Sequence, residues 1–148
     1  MKARMSGIAL VAAVLVAGPA HAGKTREALD KSALPAGFVV GSGDPALALD
    51  VVVADGRVVS SAAASPEQAN VTARSGTADG QTTLTIAHRL AANLKFDLYL
   101  SADGERFEYT SSCVVTPGVA SFELWQQPVK AFALGNPRVL PGRDLRCD

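Results

Sequence analysis

Between Leu94 and Cys113, apolar and polar residues alternate with a period of two. Leu94, Phe96, Leu98 and Leu100 interleave with Lys95, Asp97, Tyr99 and Ser101. That is the pattern of a strand with one face on a core and the other in water. Asp103-Gly104 follows, a pair suited to a two-residue turn whose central positions need positive φ. Closing the hairpin there predicts Leu100 across from Phe107, Leu98 from Tyr109, Phe96 from Ser111 and Leu94 from Cys113. Lys95, Asp97 and Tyr99 then face solvent beside Glu108 and Thr110.

The same grammar recurs along the chain. Phe38 to Val40 is a short strand before the turn Gly41 to Pro45. Leu47, Leu49, Val51 and Val53 alternate up to Asp55-Gly56, and a hairpin there sets Val53 against Val58 and Val51 against Ser60. Ser61 to Asn70 reads as a connection. Around Asp79-Gly80, the strand carrying Leu84, Ile86, His88 and Leu90 pairs with Val71 to Thr77. That partner is poor in large apolar residues and is expected at a sheet edge. Pro117-Gly118 turns the chain into the alternation Ala120, Phe122, Leu124. Val129 to Leu134 forms another strand, which Gly135-Asn136-Pro137 is expected to end, with a short segment Arg138 to Leu140 after it. Ala-Asp-Gly recurs at 54–56, 78–80 and 102–104; the flanks differ, so this is read as a meander of similar hairpins, not a duplication. Thr25 to Leu34 suits equally a short capped helix or an N-terminal arm. Seven to nine short strands with Asp-Gly and Pro-Gly turns predict an all-β fold, an antiparallel β-sandwich immunoglobulin-like in broad architecture.

The first residues change the picture of where this domain works. Lys2 and Arg4 precede an apolar run from Ile8 to Ala17, and Ala20-His21-Ala22 supplies small residues. Residues 1–22 therefore read as a secretory signal cleaved before Gly23, with 23–148 as one domain. Gly18-Pro19 breaks the run at about half the length of a spanning helix, which argues against a retained anchor. The expected location is the periplasm or the exterior of a bacterium. Without Lys2 and Arg4, the 14 basic residues become 12, against 14 acidic ones. Such a balance offers no basic field for nucleic acid or anionic lipid. Cys113 and Cys147 are the only cysteines, and in an exported chain an even pair predicts one disulfide. The bridge closes a 34-residue loop and is worth about 3.5–4 kcal/mol on the chain-entropy model. It should also hold the tail from Pro141 to Asp148, which has no strand pattern of its own.

Candidate chemistry is sparse. His88 is the only histidine after the signal segment; it offers no zinc spacing with the two distant cysteines. It lies on the apolar parity of its strand, and Ser42 in Gly-Ser-Gly lacks the elbow of a hydrolase nucleophile. Asp97 and Glu108, as outward diagonal neighbours, could mimic a glycosidase pair, but surrounding Lys95, Arg106 and Thr110 read as a solvated charge ladder. No catalytic residue, metal or cofactor is assigned. The binding candidates are Tyr99 on the polar face and Trp125 beside Gln126 and Gln127, because exposed aromatics next to amides stack on sugars or anchor proteins. Tyr109 is read as core. The expected function is non-catalytic binding of an envelope protein or glycan. The alternatives are a structural subunit assembling through edge-strand pairing and, less favoured, a hydrolase.

Overall fold

In the computed structural model, which describes residues 26–34, 37–142 and 145–147, the period-two segments become strands. The signal segment, its cleavage point and Thr25 lie outside the described residues. Ten strands are seen there: β1 (Leu29–Asp30), β2 (Val39–Gly41), β3 (Leu47–Ala54), β4 (Arg57–Ala63), β5 (Val71–Ala78), β6 (Gln81–His88), β7 (Asn93–Ser101), β8 (Arg106–Thr110), β9 (Ser121–Trp125) and β10 (Ala131–Leu140). They form two five-stranded sheets, ordered β1-β8-β7-β10-β2 and β4-β3-β5-β6-β9, with antiparallel ladders throughout. Val40, Phe96, Leu98, Phe132 and Leu134 of the first sheet share one buried cluster with Leu49, Val51, Val71, Leu84 and Ile86 of the second. The fold is thus an all-β sandwich.

Where a helix was one reading of the N-terminal segment, the chain instead forms β1 and a single 3-10 turn, Lys31–Ala33. Val71 to Thr77 is not an edge. β5 lies at the centre of its sheet between β3 and β6, and its small inward residues Val71 and Ala73 are fully buried. Small side chains there reflect close packing between sheets, not exposure. Gly135-Asn136-Pro137 does not end β10; the register against β7 shifts between Gly135 and Arg138, Asn136 takes a positive φ of 43°, and pairing resumes. Such a bulge absorbs the missing proline N–H. In the β3–β4 hairpin Val53 does face Val58, but a shift follows and Val51 meets Ser61, not Ser60.

The central hairpin departs from expectation in register. Leu100 lies across from Glu108 and Leu98 from Thr110. The turns at Asp55-Gly56 and Asp79-Gly80 have positive φ at both residues, as a two-residue loop needs. At Asp103-Gly104 only the glycine does. The Asp103 carboxylate instead accepts from the Ser101 hydroxyl and from the amides of Glu105 and Arg106, and the Ser101 hydroxyl accepts from Gly104 N. These bonds stabilise a longer loop, and they hold the Asp103 carboxyl at about 2. A one-residue shift sends every side chain to the other face. Phe107 and Tyr109 therefore leave the inter-sheet core and join Tyr99 on the outer face.

That outer face is then too apolar to leave in water. Phe107, Ala131 and Ala133 form a second buried cluster, with Leu29, Leu34, Val39 and Tyr99 packed on it. The N-terminal arm is tied down by β1, by Lys31 N donating to Glu105 O at 2.8 Å, and by Leu29 and Leu34. Both faces of β7 are covered, the outer one by the arm at Asp97 and Tyr99 and by the residues flanking the disulfide at Lys95. Lys95 and Asp97, expected in solvent, are 2% and 7% exposed.

Candidate functional site

Asp97 sits under the arm. Its Oδ1 accepts from Arg138 at 2.7 Å and pairs with Arg26, and its Oδ2 accepts from Asn136 at 3.2 Å. Burial pushes this carboxyl up, but the hydrogen bonds from Arg26, Arg138 and Asn136 outweigh it, and the group stays below the usual carboxylate range. Arg26 also lies over the Tyr109 ring, 4.3 Å from its centre, and Tyr109 meets Tyr99 edge to face at 5.6 Å. Beside these groups is a pocket of about 210 Å³, lined by Leu29, Leu34, Phe38, Tyr99, Asp97 and Asn136 among others. Glu108 is exposed and lines a different surface depression with Arg106 and Gln127. The one-residue register shift has separated the two carboxylates, so the glycosidase-like pair is not assembled.

The other predicted binding residues are dispersed. Tyr99 belongs to the outer cluster, whereas Trp125 packs on the inter-sheet core with its ring 4.7 Å from that of Phe132. Gln126 is exposed and accepts from Gln81 Nε2 at 2.7 Å; Gln127 is exposed and its carbonyl accepts from Thr82 at 3.1 Å. Tyr109, read as core from its parity, is half-buried on the outer face. His88 is buried and saturated: Nδ1 accepts from Leu90 N at 3.2 Å, which leaves Nε2–H to donate to Val115 O at 2.9 Å. Ser42 meets Thr77 at 2.6 Å and bridges to Ser75, far along β5 from the Val71 end where His88 pairs. Among the described residues no group of His, Cys, Asp and Glu has the arrangement of a metal site.

The surface that the sequence pattern misassigned is β9. Its alternation suggested Phe122 and Leu124 inside, but Ser121, Glu123 and Trp125 point inward, and Phe122 and Leu124 are 66% and 47% exposed. Only one parity of a strand can face the core, and here it is the one that seats the Trp125 ring against Phe132. β9 is the last strand of its sheet; β6 pairs along one side, and no described strand pairs along the other. Phe122 and Leu124 lie directly across from Thr85 and Thr83 of β6, so the face carries methyls, hydroxyls and two large apolar groups without a charge on those four positions. Val119, 61% exposed, precedes it. The three remaining edges are blunted: β1 and β2 are two and three residues long, and β4 is bulged against β3.

The predicted disulfide between Cys113 and Cys147 is present. Around it Lys95 Nζ donates to Ser112 O at 2.6 Å and to Arg146 O at 3.4 Å, the carbonyls that precede the two cysteines. Glu123 of β9 accepts from Cys113 N at 3.0 Å. Burial raises the Glu123 carboxyl above its ordinary range, against the pull of that amide and of the Lys95 charge. No described helix is long and apolar enough to cross a membrane. No family model matches this chain, and neither the curated proteins nor the solved structures contain a match.

Proposed function

We propose that this is an exported binding protein of the bacterial periplasm or exterior, immunoglobulin-like in broad architecture, that engages an envelope protein or glycan without catalysis. The observation that carries the reading is β9: an edge strand with no described strand along one side and two large apolar side chains presented to solvent. A contiguous exposed apolar patch marks a contact site, as single scattered side chains do not, and Phe122 and Leu124 are neighbours on one face of β9. An edge strand beside them suits an extended polypeptide segment, which adds main-chain hydrogen bonds along the edge and seats side chains against Phe122 and Leu124. The signal-like residues 1–22 and the disulfide agree with export. The test is capture from envelope extract by immobilised wild type and by Phe122→Ser and Leu124→Ser. Retention by the wild type and loss in both variants supports the reading; equal capture by all three removes β9 from it.

The same edge supports a second reading, a structural subunit that assembles by strand pairing. The expected edge, β5, is interior, so the pairing strand becomes β9. Sedimentation separates the two readings. Oligomers that grow with concentration and vanish in Phe122→Ser favour assembly, whereas a monomer at high concentration favours a foreign partner.

A further inference from the structure

Residues 145–147, beyond β10, are held in an unusual way. Leu145 is 51% exposed, and Arg146 and Cys147 are exposed as well, so apolar burial contributes little to keeping residues 145–147 in place. What ties them covalently is the bridge to Cys113. Beneath them is a cation 2% exposed, the Lys95 side chain, whose Nζ reaches one carbonyl on each side of that bridge. The Ser112 half of this arrangement is rigid: Ser112 is buried, its hydroxyl donates to Phe96 O at 2.8 Å, and the following amide is held by Glu123. The Arg146 half belongs to the exposed residues 145–147.

We propose that the Cys113–Cys147 disulfide is a redox latch, which keeps residues 145–147 over Lys95 and, when reduced, releases them and uncovers the Lys95 amine at the flank of β9. The co-reactant is a dithiol. Its thiolate attacks the sulfur of Cys147, the exposed partner, while Cys113 is half-buried. The protein S–S bond breaks, a mixed disulfide forms, and Cys113 departs as a thiolate that takes up a proton. The second thiol of the reductant then displaces Cys147 as a thiol. Two electrons and two protons pass to the protein, and the reductant leaves as its own disulfide. In an oxidising compartment the latch is closed. Opening it takes the Arg146 carbonyl away from Lys95, leaves the Ser112 carbonyl in place, and makes the ammonium group accessible. This inference does not depend on what β9 binds.

The test is a short pulse of an amine-acylating N-hydroxysuccinimide ester, read by peptide mass spectrometry. Lys31, with its side chain 57% exposed, and the exposed Lys130 are internal references. In the oxidised protein Lys95 should react at least about tenfold more slowly than either, as a group reached only through local opening. After dithiothreitol, with two thiols titrated and the Trp125 emission unchanged, Lys95 should approach the reference rate. Cys147→Ser should show the same rate without reductant. Three outcomes overturn the latch: Lys95 reactive before reduction, Lys95 equally protected after it, or Trp125 emission moving to its denatured position on reduction. In the last case the bridge holds the whole sandwich and not residues 145–147 alone.

Discussion

Replacing Lys95 by methionine removes an ammonium group and keeps an unbranched stem of similar length. The buried Ser112 carbonyl at 2.6 Å and the Arg146 carbonyl at 3.4 Å both lose this donor. A hydrogen bond to a charged group contributes about 1.5–3 kcal/mol, and a buried carbonyl left without a donor costs about 1–3 kcal/mol. These describe one loss from its two ends and do not add. Burying the ammonium is itself unfavourable, and methionine relieves that penalty. The expected net loss for Lys95→Met is therefore about 2 kcal/mol. Lys95→Ala also empties the space of a side chain 2% exposed, which brings the loss to about 4 kcal/mol. Urea denaturation at neutral pH, followed through the Trp125 indole against Phe132, measures both, provided the m-value is unchanged. In a Cys147→Ser background the Lys95→Met effect should shrink, because the Arg146 carbonyl is no longer held; a double-mutant cycle reads that coupling. If Lys95→Met fell within about 0.5 kcal/mol of wild type, the range of a surface substitution, the ammonium would not be securing these carbonyls and the reasoning would fail.

Leu98→Ala and Phe96→Ala should each cost about 2–5 kcal/mol, since both side chains are at most 1% exposed in the inter-sheet core; a smaller loss in denaturant melts would place the core elsewhere. Cys147→Ser should cost about 2–4 kcal/mol, much of it through the unfolded chain, and retain a native β spectrum. Asp97 titrates below its unfolded value, so its contribution is whole above the ordinary carboxylate range and is lost as pH falls through the lowered folded value. The denaturation midpoint should thus drop in acid, and Asp97→Asn should flatten that drop; an unchanged slope would assign it to other carboxylates. For Glu123 the sign is reversed. Its folded value is raised, so ionisation at neutral pH opposes folding, and Glu123→Gln, which keeps an acceptor for Cys113 N, should leave neutral-pH stability equal or higher.

Composition and period-two patterning by themselves determined the class of fold, most of the strand positions, two of the three Asp-Gly turns and the cysteine pair. Those features are local: a strand's periodicity, a turn's φ values and an even cysteine count need no knowledge of neighbours. Faces are different. Which parity of β9 points inward was settled only in the tertiary structure, where it is the one that seats Trp125 against Phe132. That outcome left Phe122 and Leu124, the contact residues now proposed, where the pattern suggested core. The register of the central hairpin turned on one carboxylate, Asp103, collecting two amides and a hydroxyl. The resulting shift moved Phe107 and Tyr109 to the far face, separated Asp97 from Glu108, and made the arm through Leu29 and Leu34 a second cover. Lys95 was legible only as a polar position on a strand. That its stem is buried and its ammonium lies between the carbonyls before Cys113 and Cys147 follows from a bridge and a strand that are remote in sequence and meet only when the two sheets close.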